Sequence, residues 1–172
     1  MPAIEHVDVS PPLLSGSEAT VTWSMVDYYR SLLLFKCEGL DDADLRRRAV
    51  PSSNLTLLGL LRHLTKVEHF WFQRCFLGRT EPAIYSTREH PDADFERLDD
   101  NATDEVVTRY LAICNESRAV ARDHELTEIA DQRRDGQPVS LRFIGVHMVD
   151  EYARHLGHAD LIREAIDGAT GG

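Results

Sequence analysis

Long apolar runs are missing from this chain. No stretch approaches the ~18 consecutive apolar residues that a membrane-crossing helix needs, and the opening MPAIEHVDVSPP lacks the basic and apolar segments of a secretory leader. A cytoplasmic protein without a membrane role is the expectation. Positive charge is also scarce: 19 Lys and Arg face 29 Asp and Glu, a formal net charge of −10. That balance argues against a nucleic-acid or anionic-lipid surface, which needs clustered cations to offset phosphate. The two short basic runs, Arg46 to Arg48 and Arg133 with Arg134, are flanked by acids and read as solvated surface. Cysteine is limited to Cys37, Cys75 and Cys114, with no CxxC pair and an odd count. A disulfide frame is therefore not expected, and the three read as small buried residues or free thiols. Internal repeats, low-complexity segments and the alternation of half-buried strands are absent too.

What is present is a globular composition, 42% hydrophobic in 172 residues, enough for one compact domain over 1–172 with loosely ordered tails at about 1–14 and 168–172. Helical spacing of apolar residues recurs four times. The first segment runs from Ser17 to about Glu38 and stops at Gly39, with a short acidic turn-helix, DDADLRRRA, after it. The second carries Leu57, Leu60, Leu61, Leu64, Val67 and Trp71 in one stripe, with Asn54 as the expected N-cap and Gly78 as the stop. The third extends from a cap at Asn101 to about Glu125, and the fourth from a cap at Ser140 to Gly168. Arg79 to Asn101 has prolines and no period, and so long a connection suggests a crossover or lid near a functional site. RRDGQPVS reads as a turn or short hairpin. The sum is an all-α fold, a four-helix bundle with one long connection.

The fourth helix has an unusual face. Steps of three and four align Ile144, Met148, Glu151, His155, His158 and Ile162, apolar at both ends and polar in the middle. Facing a bundle core, a carboxylate and imidazoles cost several kcal/mol to bury unless hydrogen bonds or a cation compensate. Glu and His four residues apart can hold one ion, with His63 on the margin of the second helix as the third ligand. The alternative is internal pairing of His155 or His158 with Glu151 or Asp160. His147 could extend the polar line or sit on a solvated flank. His6, His69, His90 and His124 show no partner pattern and read as surface residues, and Trp71 and Phe72 as core or pocket wall.

Two stretches, NLTLLGLLRHLTKVEHFWFQRCF and HMVDEYARHLGHADLIREAIDG, resemble the DinB-like superfamily, in its actinobacterial-type branch and its mycothiol-dependent maleylpyruvate isomerase-like members. The resemblance covers essentially the whole chain in helix order. It implies an up-up-down-down bundle holding a divalent metal, zinc or nickel first among the choices, on His63, Glu151 and His155. Many relatives carry His where this chain has Glu151; the isomerase branch looks similar in its Glu-x-x-x-His pair. His158 would be a catalytic or substrate-facing residue, or the replacement ligand should the helix be rotated, and Arg154 either an assistant or a solvated ion-pair partner. The implied activity is attack of a metal-activated low-molecular-weight thiol such as mycothiol on a small electrophile, in S-transfer or isomerisation, by a homodimer. Two other classes stay open: a non-catalytic metal- or small-molecule-binding stress-related bundle, and a metal-dependent hydrolase.

Overall fold

Ser17 opens the first long helix, α1 (Glu18–Cys37), by accepting the backbone N–H of Thr20 on its hydroxyl at 3.1 Å. A computed structural model describes residues 4–171 of the chain. After α1 comes the single turn α2 (Asp42–Leu45), capped by Asp41. The second long segment starts as α3 (Leu57–Glu68) and continues without a break as a π-helix over His69–Phe76. Its cap is Thr56, whose hydroxyl accepts from Gly59 N–H at 3.0 Å, and not Asn54. Gly78 ends it with a φ of +64°, a conformation that costs glycine little.

A crossover holding α4 (Ala93–Glu96) and a 3-10 turn, Leu98–Asp100, leads to α5 (Thr103–Asp123). The cap position of α5 falls on Ala102, where the Glu105 carboxylate accepts the free backbone N–H; Asn101, the expected cap, instead accepts from Arg62 at 2.7 Å. The helix stops at Asp123, two residues before the expected end. A hairpin-like turn follows, with isolated antiparallel bridges at Ile129–Ser140 and Arg134–Gln137, and these are the sole β pairings among the described residues. The last helix, α6 (Leu141–Asp167), begins at Ser140 and ends at a left-handed Gly168, both as expected.

α1 packs along α6, and α3 is covered by α5, α6 and α1. Their apolar faces meet in one core that includes Val26, Leu33, Leu61, Leu64, Tyr110, Ile144, Met148 and Ile162. Each such aliphatic side chain contributes roughly 1.5–3 kcal/mol by leaving water. Ile144, Met148 and Ile162 are the apolar ends of the polar line, so that face of α6 does turn inward. No helix among the described residues is long and apolar enough to cross a membrane.

Arg46 and His69 depart from their sequence reading, and a buried ion pair lies in the core. Arg46 is no solvated residue: its guanidinium bonds Asp42, the carbonyls of Leu98 and Asn101, and Thr103, tying the crossover to α2. Arg30 and Glu68 form a fully buried bidentate pair, both contacts at 2.7 Å, with Tyr152 of α6 donating to the same carboxylate at 2.9 Å. His69 is buried at the start of the π-helix and not on the surface.

Residues 1–3 and 172 of the two tails lie outside the described residues. Further in, Ile4 is buried and its carbonyl accepts from Gly39 at 3.0 Å, while the Gly171 carbonyl accepts from Lys36.

Candidate metal centre

His63 projects from α3, and Glu151 and His155 from successive turns of α6. Where these helices pack, the three side chains converge, half-buried, with one ligand atom of each within 4.8 Å of the others. Glu151 Oε2 stands 3.7 Å from His63 Nε2 and 3.5 Å from His155 Nε2. These gaps are too long for hydrogen bonds. A tetrahedral ion with bonds of about 2.1 Å holds its ligand atoms roughly 3.4 Å apart. The spacing thus suits three donors around one cation, and a carboxylate with two imidazoles suits a zinc-type ion.

The remaining ring nitrogens have partners. His63 Nδ1 lies 3.0 Å from Asp94 Oδ2, so Nδ1–H donates and Nε2 keeps its lone pair toward Glu151. Asp94 is buried and also accepts from Lys66, which bonds Ser86 as well. The crossover delivers Asp94 because Arg62, almost fully buried, donates to the carbonyls of Ala93 and Asp94 at 3.1 and 3.0 Å. Phe95 stacks on the His63 ring at a centroid distance of 5.4 Å. His155 Nδ1 meets His158 Nδ1 at 3.3 Å, which leaves His155 Nε2 facing Glu151. On the far side of the carboxylate, His147 Nε2 is 3.4 Å from Glu151 Oε1, its ring edge-on to Trp71 and stacked on Phe143.

This environment shifts the titration of the centre's groups. His155 and His63 hold the Glu151 carboxyl well below the usual carboxylate range, against the effect of burial. For His63, burial pushes the imidazole down, but Asp94 and Glu151 outweigh it and the net direction is up. Burial, followed by the neighbouring His155 and Arg154, lowers His158. A carboxylate held ionised beside two imidazoles is the charge state that cation binding needs, and protons compete for His63 as pH falls.

The structure thus brings His63, Glu151 and His155 together, extends the polar line to His147, and sets His158 beside His155 instead of among the three donors. Arg154 is exposed and pairs with Asp150 at 2.9 Å. Spacing within one helix did not point to Asp94, because it arrives from an aperiodic loop; the length of that loop was the available signal. All three cysteines are free and buried, and burial drives Cys37 and Cys114 up to about 12. The protein's own thiols are therefore protonated and enclosed.

A cavity of about 360 Å³ opens beside Glu151 and His147, walled by Phe70 and Trp71 and flanked by Lys66, Arg74 and Arg134. Arg134 is exposed, as its reading as solvated surface expected, and it also lines this cavity. The cavity gives a small molecule access to the carboxylate edge of the centre.

No curated protein and no solved structure matches the chain. The family model for mycothiol-S-transferase matches residues 22–168, from within α1 to the cap of α6. Spanning both ligand-bearing helices and the crossover between them, that match places the chain in the mycothiol-S-transferase family, within the DinB-like superfamily.

Proposed function

We propose that this protein is a divalent-metal-dependent mycothiol S-transferase. The observation that carries the reading is the convergence of His63 Nε2, Glu151 Oε2 and His155 Nε2 in a member of this family. A divalent ion, zinc or nickel by preference, would sit on these three atoms, and its chemistry is to lower the pKa of a bound thiol so that thiolate is available at neutral pH.

The chain's own residues do the rest. Asp94 fixes the His63 tautomer and His158 that of His155, so both Nε2 lone pairs are aimed before any ion or thiol arrives. His158, held neutral, takes the part of a positioning group that can also accept the thiol proton. The cavity beside Glu151 receives the electrophile, and its aromatic wall excludes water from the attacking sulfur. The family's up-up-down-down helix order, a homodimer and a cytoplasmic location, where a low-molecular-weight thiol is at hand, belong to the same proposal.

The test is metal content by elemental analysis of untagged protein, followed by conjugation of mycothiol to a bimane halide. We expect near-stoichiometric metal, its loss in His63→Ala and in His155→Ala, and conjugation that disappears with it. A conjugation rate no higher than the uncatalysed one in metal-loaded protein would refute the transferase. Cleavage of an activated ester without added thiol would favour the hydrolase reading.

A further inference from the structure

The cavity next to the centre is richer in cations than in carboxylates. In a chain of net charge −10, it gathers three cations, Lys66, Arg74 and Arg134, and Glu151 is its sole carboxylate among the described residues. Lys66 is answered by Asp94 and Ser86. The two arginines are not answered in that way. Arg134 reaches only Asp135, at 3.6 Å and on the exposed side, while its guanidinium leans over the Phe70 ring at 5.7 Å. Arg74 forms no ion pair among the described residues, and its buried Nε has no hydrogen-bond partner.

A desolvated guanidinium N–H without an acceptor costs free energy that a ligand can recover. The planar fork of arginine matches a carboxylate in particular. Phe70 and Trp71 line the same cavity, their rings edge-on to each other at 5.2 Å.

We propose that this cavity binds an aromatic carboxylate as the electrophile, its carboxylate on Arg74 and Arg134 and its ring against Phe70 and Trp71. The proposal rests on the S-transferase reading and names its substrate class. In the transfer, the thiolate sulfur attacks the carbon that bears the leaving group. The C–S bond forms as the carbon–halogen bond breaks, halide departs with the bonding pair, and the thiol proton passes by way of His158 to solvent. No redox partner is required.

The experiment uses the metal-loaded protein with Trp23→Phe, which leaves Trp71, a wall residue, as the single fluorescent tryptophan. The probes are 4-methylbenzoate and its uncharged isostere 4-methylbenzamide. Benzoate should bind about tenfold more tightly, the worth of one charge-assisted contact. Arg74→Met and Arg134→Met should each erase most of that preference and leave the benzamide unchanged. The same order should appear in kcat/KM for mycothiol conjugation with 4-(bromomethyl)benzoate against 4-(bromomethyl)benzamide, after subtraction of the spontaneous rate. Equal affinities, or a preference that survives the double arginine variant and vanishes in His155→Ala, would overturn the proposal, the second result placing the carboxylate on the ion. Failure of this inference is separable from failure of the transferase reading. Protein that binds metal and conjugates neutral bimane halide with no carboxylate preference sinks the inference alone, whereas absent conjugation of every electrophile sinks the transferase.

Discussion

Asp94→Asn isolates what the crossover does for the metal centre. The substitution keeps size and an acceptor for His63 Nδ1–H, but removes the charge that lies 3.0 Å from that ring. Carboxylates in this position raise ligand basicity and fix the tautomer, and losing one typically weakens metal binding by about 10–100-fold, or about 1.4–2.7 kcal/mol. Two effects oppose each other. Asp94 strengthens His63 as a donor, yet also raises its pKa, and the metal needs the neutral ring. A raised pKa favours the protonated form as pH falls, so protons compete with metal over a wider range in the native protein than in the variant. The loss should therefore be larger near pH 8 than near pH 6, because protonation of His63 opposes metal binding less at the higher pH. Competition with a chromophoric chelator, measured at both pH values, reads the affinity directly. Equal affinities at pH 8, or a deficit that grows on acidification, would refute the role given to Asp94.

The other predictions concern burial and packing. Glu68→Gln leaves the Arg30 guanidinium buried with only Asp27 beside it, and should cost about 3 kcal/mol in urea unfolding, the lower end for a broken buried pair; Arg30→Met with Glu68→Leu should recover much of that loss. Gly59→Ala would set its Cβ 2.7 Å from Phe95 Cδ1, so it should destabilise the fold by about 1–3 kcal/mol and weaken metal binding, because Phe95 stacks on His63. Chelator competition on folded Gly59→Ala protein checks the second effect. Ellman's reagent at pH 8 should find no reactive thiol in native protein and three after denaturation, since Cys37, Cys75 and Cys114 are buried and shifted upward.

Sequence could locate the half of the centre that lies on one helix. Glu151 and His155 are four residues apart, and the burial of Ile144, Met148 and Ile162 confirms the face inferred from their period. His63 was a candidate from the need for a ligand on a facing helix, and the resemblance singled it out, because no spacing rule links residues on different helices. Asp94, Lys66 and Arg74 could not be read so, since their roles depend on contacts across the fold. The π-helix accounts for one misreading in His69–Phe76, that of His69 as surface, while Trp71, Phe72 and Cys75 are buried as expected: an α period was assumed, whereas i to i+5 bonding such as Leu77 N–H to Phe72 C=O alters the faces of this stretch. The missed caps have a simple cause as well. Thr56 and Asn54 are both good cap residues, and the choice between them depends on where α3 meets the core.

The buried polar network has its reason in this register problem. Tyr152 follows Glu151 directly on α6, and Glu68 lies five residues after His63 on α3. The hydrogen bond between Tyr152 and Glu68 therefore ties together the two helices that carry the three donors, and Arg30 adds α1 to the same carboxylate. Apolar side chains slide past each other with little change in energy, but a bidentate guanidinium with a hydroxyl on one carboxylate has a single low-energy arrangement. Displacing α3 against α6 by one turn, about 5.4 Å, would separate His63 from Glu151 and also break that bond. The core thus accepts the desolvation of two charges in exchange for a helix register that holds Glu151 Oε2 within a few tenths of an ångström of the tetrahedral ligand spacing from both imidazoles.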